Sequence, residues 1–329
     1  MSQQPMPTVP EAAQQVGRYR LLARIGEGGM GVVHLAQAPD GARVALKVLR
    51  PHIVGDEEAR QRLAREVASL SRVSSPRVAE VIDAEPWGET PFVATRYIPG
   101  LTLHEHVRQE GPVRGEDLVF FAHRLAEAVQ AVHRAGVLHR DIKPANVLLE
   151  GRAPVLIDFG LARLAEDPRL TQTGWLLGTP GYLAPEILYG EDATTASDVH
   201  SWAATVVFAA LGRPPFGTGP AMAIMDRVRR GEHDLSGLPV GVLPTVLAAL
   251  APEPADRPDV PTLLAELGSV PPSVRAPRPV VPDLPTMPVA LSLPERPQGT
   301  EATTLTPADA PPAVQPSPTG VLAEPATVA

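Results

Sequence analysis

The sequence predicts an α+β chain of two lobes: a small strand-rich lobe carrying one helix, then a larger, mainly helical lobe, with the ligand cleft between them. Two observations predict this order. Residues 18–98 break into short apolar runs separated by glycine and proline turn signals. After Gly100 the apolar residues recur at helical spacing instead. A third observation bounds the domain. Residues 271–329 hold 15 of the 39 prolines and no aromatic residue, a composition that cannot bury enough apolar surface to offset chain entropy. The expected organisation is a polar leader over 1–17, a domain over 18–267 divided near 98/99, and a disordered Pro/Ala/Thr-rich tail over 268–329.

In the small lobe, strands are expected over 19–25 and 32–36, flanking a glycine loop. Pro39-Asp40-Gly41 turns the chain into a third strand over 44–49. Residues 57–73 read as a helix, because Leu63, Val67 and Leu70 form an apolar stripe. Strands over 78–84 and 92–97 complete the lobe. In the large lobe, residues 118–135 carry Leu118, Phe121, Ala122, Leu125, Val129 and Val132 on one helical face. Residues 202–211 are apolar almost all round, which predicts a buried helix. The apolar run 238–250 is broken by Pro239 and Pro244.

Composition narrows the function classes. The chain has 329 residues, 44% of them hydrophobic, which is enough for a sizeable core. A net charge of −8 gives no reason to expect nucleic acid or an anionic membrane surface as partner. With no cysteine there are no disulfides and no thiolate metal sites, which fits a reducing cytoplasm. The N-terminus lacks the apolar core of a secretory signal, and no run is long enough for a membrane span. A cytoplasmic protein is expected.

Gly26-Glu27-Gly28-Gly29-Met30-Gly31 fits G-x-G-x-x-G. In a dinucleotide fold that loop would open a helix, with an acid about 20 residues on. Here it runs into an apolar strand and residues 46–52 contain no acid, so it joins two strands and can lay backbone N–H groups over phosphates. Val44-Ala45-Leu46-Lys47 follows. A lysine on a strand needs a carboxylate to hold it. Glu57, Glu58 and Glu66 are candidates; Glu66, 19 residues on, opens the pattern that runs to Leu70.

His139-Arg140-Asp141-Ile142-Lys143-Pro144-Ala145-Asn146 places a carboxylate, an ammonium and a carboxamide in one loop, and Asp158-Phe159-Gly160 begins twelve residues after the asparagine. Phosphoryl transfer needs such a set: a base for the hydroxyl, a cation for the migrating phosphate and hard oxygen ligands for magnesium. With the glycine loop and the lysine strand, these motifs resemble the eukaryotic-type (Hanks-type) serine/threonine protein kinases of bacteria, over about three quarters of the chain. The wording Pro144-Ala145-Asn146 and Gly178-Thr179-Pro180-Gly181-Tyr182 has an actinobacterial flavour.

The resemblance implies a bilobal kinase fold with ATP in the cleft, magnesium or manganese as metal, and transfer of the γ-phosphate to protein Ser/Thr hydroxyls. Asp141 becomes the base, Lys143 the γ-phosphate contact, and Asn146 and Asp158 the metal ligands. Lys47, held by Glu66, meets the α/β-phosphates. The nucleotide is lined by the glycine loop with Ile25, Val32 and Val33, and by Ala45, Thr95, Tyr97, Ile98 and Leu148. Thr95 stands where related bacterial kinases usually carry a larger apolar residue. Arg96 stands where they usually carry glutamate, and reads as a solvated hinge side chain. Thr171 and Thr173 are expected autophosphorylation sites, with Arg140 to capture the phosphate. Thr179 is expected at the catalytic aspartate, Glu186 paired with Arg257, Asp198 bracing the catalytic loop, and His139 and Phe159 in packing roles. His200, Trp202 and Ala203 depart from what relatives commonly carry, which bears on packing. Expected partners are protein substrates, a phosphothreonine-binding (forkhead-associated) domain at Thr303, Thr304 and Thr306 of the tail, and a second kinase molecule. A nucleotide-binding scaffold is disfavoured by the intact catalytic set. A small-molecule phosphotransferase is disfavoured by the long segment ending at Ala184-Pro185-Glu186.

Overall fold

The structure is a computed structural model that describes residues 14–29, 31–50, 57–158 and 179–269. The chain divides into two units, Met1–Arg275 and Ala276–Ala329, and every described residue lies in the first. Met30, Phe159, Thr171, Thr173 and the tail threonines fall outside the described residues.

Six strands build the small-lobe sheet: β1 (Gln15–Val16), β2 (Tyr19–Gly28), β3 (Gly31–Gln37), β4 (Arg43–Leu49), β5 (Val81–Glu85) and β6 (Phe92–Arg96). All pairings are antiparallel, in the order β1-β2-β3-β4-β6-β5. Alternation along the strands sorts the two faces. Val44, Leu46, Ala36, Phe92 and Ala94 pack with Tyr19 on one side. Leu49 and Val93 meet Leu63 of helix α1 (Glu57–Leu70) on the other. The expected strand at 78–84 begins only at Val81. Its first residues are diverted to the other lobe, where the Ala79 amide donates to the Leu156 carbonyl and Val78 bridges to Leu156.

The large lobe contains α2 (Leu103–Glu110), α3 (Glu116–Arg134), a hairpin of β7 (Val147–Glu150) and β8 (Ala153–Leu156), α4 (Pro185–Leu188), α5 (Thr195–Leu211), α6 (Ala221–Arg229), α7 (Leu243–Ala249) and α8 (Val260–Gly268). Helix α2 starts at a capping box. Thr102 Oγ1 accepts from the Glu105 amide, and the Glu105 carboxylate accepts from the Thr102 amide. Helix α5 is buried nearly all round and forms the axis of the core. Trp202 explains one departure from the relatives: it is fully buried and its indole N–H donates to the Ala122 carbonyl of α3 at 3.1 Å. The apolar run 238–250 becomes a helix only from Leu243, with Pro244 in the first turn, where its missing N–H is harmless.

Candidate active site

Cross-strand register brings together residues expected to line the nucleotide. Val33 pairs with Lys47, Lys47 with Val93, and Ala45 with Thr95. Directly paired residues share a face, so Val33, Ala45, Lys47 and Thr95 form one surface of the sheet. Leu148 of β7 is half-buried and packs with buried Ile98 and Val155. Tyr97, between Thr95 and Ile98, is half-buried in the segment joining the lobes. Ile25 and Glu27 of β2 are exposed, and Gly26 and Val32 are paired across to β3 residues and Glu27 respectively.

The glycines of the loop do different things. A Cβ at Gly31 would overlap the Val48 carbonyl, so close packing of β3 on β4 requires that glycine. Gly28 and Gly29 face nothing within 4 Å, which leaves room beside the backbone for a phosphate chain. The Glu27 carboxylate is turned to Arg50 and Arg24.

The catalytic loop hangs on Asp198, which is 1% exposed at the start of α5. Its Oδ1 accepts from the Arg140 amide, and its Oδ2 from the His139 amide and from His133 Nε2, each at 2.8 Å. His139 is fully buried. Burial holds its imidazole neutral, with a pKa below the usual histidine range. Nε2 bonds the Ile157 carbonyl at 3.2 Å and Nδ1 accepts from the Asp141 amide at 3.3 Å, which fixes the tautomer. Arg140 and Asp158 are the non-glycine residues with positive φ among those described, at 66° and 57°. Both hold backbone conformations that cost ~1–3 kcal/mol and persist only where the surroundings enforce them.

Asp141 Oδ2 receives Lys143 Nζ and Asn146 Nδ2, both at 2.8 Å. Asn146 Nδ2 also donates to the Asp141 carbonyl, so the amide nitrogen is spent within the loop and Oδ1 is turned away from it. Lys47 Nζ lies 3.1 Å from Asp158 Oδ1. No Lys47–Glu66 ion pair is present among the described residues, which departs from the expected pairing. The nearest carboxylate to the lysine is Asp158. Glu66 instead lines a cavity of about 500 Å³ between α1 and the catalytic loop, together with Arg62, Arg65 and Arg140. Asn146 Oδ1 and the Asp158 carboxylate are hard oxygen donors, a set that fits a divalent cation.

Glu186 and Arg257 form a two-pronged pair at 2.7 and 2.8 Å, with Glu186 4% exposed. Burial works to raise the Glu186 pKa. The Arg257 and Ser197 hydrogen bonds outweigh it and hold the carboxyl below its usual range. Thr179 is exposed, and no hydrogen bond joins it to Asp141 among the described residues. Sequence reasoning missed His133 and Ser197. His133 sits six residues before His139, on a helix whose neighbouring core positions are apolar, and that was the available signal. Arg96, expected in solvent, bonds Glu150 and the Pro76 carbonyl.

The site thus brings together a strand lysine facing Asp158 and the Asp141 carboxylate held by Lys143 and Asn146. The family model described as protein kinase domain matches residues 19–240, and the chain belongs to that family. It is 40% identical over 263 residues to "Probable serine/threonine-protein kinase PkwA" of Thermomonospora curvata, covering 80% of this chain and 35% of that protein. To "Serine/threonine-protein kinase AfsK" of Streptomyces coelicolor it is 40% identical over 256 residues, 77% of this chain and 32% of the relative. To "Serine/threonine-protein kinase PknD" of Mycobacterium tuberculosis it is 34% identical over 257 residues, 76% and 39%. The chain thus spans about a third of the length of these curated relatives. Among the described residues, no helix is long and apolar enough to cross a membrane.

Proposed function

We propose that the chain is an ATP-dependent serine/threonine protein kinase of bacterial signalling. The observation that carries this reading is the Asp141 carboxylate, oriented by Lys143 and Asn146 at 2.8 Å each. Held so, Asp141 can take the proton of a Ser/Thr hydroxyl as its oxygen bonds to the γ-phosphorus and the bond to the ADP oxygen breaks. Lys143, on the same carboxylate oxygen, is placed to steady charge on the migrating phosphoryl group. Lys47 holds the α/β-phosphates, and the glycine loop covers them. Magnesium, or manganese in its place, held by Asn146 Oδ1 and Asp158, would neutralise phosphate charge.

Regulation by autophosphorylation belongs to the same reading. The Arg140 guanidinium makes no hydrogen bond or ion pair among the described residues and lines the cavity with Arg62 and Arg65. A phosphate on Thr171 or Thr173 would find three cations there. Thr179 then selects the acceptor. The remaining parts are a cytoplasmic location, a leader over 1–17, a tail over 268–329 whose phosphothreonines dock a forkhead-associated domain, and pairing with a second kinase molecule.

The test is incubation of the full chain with radiolabelled ATP, Mg²⁺ and a generic protein acceptor, followed by phosphoamino-acid analysis. Phosphoserine and phosphothreonine, lost in Asp141→Asn, are expected. Label on neither, or equal label in the variant, overturns the assignment.

A further inference from the structure

The segment joining the lobes carries a half-buried arginine whose guanidinium is bonded to the protein. Arg96 ends β6, directly after Thr95 and before Tyr97 and Ile98. Its Nη1 meets Glu150 Oε1 at 3.2 Å and its Nη2 donates to the Pro76 carbonyl at 3.1 Å. Its own amide donates to the Glu80 carbonyl at 2.9 Å. The partners come from two parts of the fold. Glu150 ends β7 of the large lobe, two residues beyond Leu148. Pro76 lies in the connection after α1. That connection is stitched to the large lobe, since the Leu156 amide donates to the Arg77 carbonyl and the Ala79 amide to the Leu156 carbonyl. One guanidinium therefore ties the last strand of the small lobe to the large-lobe hairpin and to the loop between them.

We propose that Arg96 is a positioning residue for the nucleotide: by clasping Glu150 and the Pro76 carbonyl it fixes the hinge backbone, and with it the spacing of the lobes around the adenine. The inference rests on the kinase reading above. Alternation along β6 points Thr95 at the nucleotide face and Arg96 to the opposite side. The clasp therefore acts through the peptide groups of the hinge and never touches the reacting atoms. An ion pair exposed to 33% and 41% contributes modestly, so the effect belongs on nucleotide affinity and not on the chemical step.

The test is a double-mutant cycle in the full chain with Arg96→Met, Glu150→Gln and both together. ADP affinity is read by titration calorimetry, KM and kcat for ATP by phosphate transfer, and melting by circular dichroism. Arg96→Met is expected to weaken ADP binding about 3- to 10-fold and raise KM in parallel, with kcat within about twofold. Glu150→Gln should do the same more weakly. The double variant should match Arg96→Met within about twofold, because each change breaks the same clasp. ADP affinity unchanged in both single variants overturns the proposal. So do additive losses in the double variant, or a fall in kcat with lowered melting and unaltered ADP affinity. ADP binding needs no turnover. A wild type that binds ADP and follows this pattern without transferring phosphate would sink the kinase reading and leave the clasp standing.

Discussion

Arg257→Ala should cost the fold more than any surface change. The Arg257 side chain is fully buried and makes five hydrogen bonds. Two go to Glu186 at 2.7 and 2.8 Å, and three go to the carbonyls of Ala251, Pro252 and Ala196 at 2.8, 2.8 and 3.0 Å. Truncation leaves a carboxylate 4% exposed without its charged partner, though the Ser197 hydroxyl stays at 2.7 Å, and strips three carbonyls of this donor. Breaking a buried pair this way costs ~3–5 kcal/mol. At ~2–4 °C per kcal/mol for a domain of this size, the melting temperature should fall by about 6–20 °C. Circular-dichroism melts of both proteins from pH 7 to pH 4 give the measurement. Arg257 holds the Glu186 pKa below its ordinary 4.5, so the pair's contribution is complete above that pH and is lost as pH falls through the lower folded value. Without Arg257, burial alone acts and Glu186 takes up a proton more readily. The deficit of the variant should thus be largest at neutral pH and shrink towards pH 4. A melt at pH 7 within about 2 °C of wild type, or a deficit that does not change with pH, would refute the reasoning.

Three further outcomes are expected. Asp158→Asn should lower phosphate transfer more than tenfold, about 1.4 kcal/mol in the barrier, because it removes the charged ligand facing Lys47; a smaller loss in a Mg-ATP assay contradicts the metal role. Thr171→Ala/Thr173→Ala should slow peptide phosphorylation while ADP still binds, and mass spectrometry of wild type after Mg-ATP should find phosphate on these residues; full activity in the double variant speaks against it. His200 is fully buried, neither ring nitrogen has a hydrogen-bond partner among the described residues, and burial, with Arg257 adding to it, pushes its pKa down to about 3. The unfolded chain binds that proton near pH 6.5, so stability is complete above this pH and declines as pH falls towards 3. His200→Phe, which keeps the stack on Phe216, should melt higher and show a flatter acid limb; parallel pH profiles would count against it.

Much of this was legible in the sequence, for local reasons. Strands and helices announce themselves by period, and the stripe of Leu63 and Leu70 on α1 is one the structure buries. Boundaries were less legible where a distant segment competes. The strand expected from residue 78 starts late because Val78 and Ala79 bond Leu156, which no local pattern encodes. The site divides the same way. The catalytic loop reads directly, since Asp141, Lys143 and Asn146 meet within six residues. Partner choice does not. Lys47 faces Asp158, Arg96 reaches Glu150 across 54 positions, and His133 reaches Asp198 across 65. Each depends on how elements pack, and residue spacing along the chain carries no information about that.

The β7–β8 hairpin changes what the twelve-position offset from Asn146 to Asp158 means. Val147 pairs with Leu156, and the Ile157 amide donates to the Asn146 carbonyl at 3.0 Å. The two prospective metal ligands are therefore brought together at the open end of a hairpin, while its tip at Gly151 and Arg152 points away. Chain length between them is incidental. Residues could be inserted at that tip without altering how the ligands oppose one another, whereas a single deletion inside either strand would turn one of them to the wrong face. A rule that searches sequences for this site by counting residues would miss such a lengthened relative. A rule that asks for two short strands closing on an asparagine and an aspartate would find it.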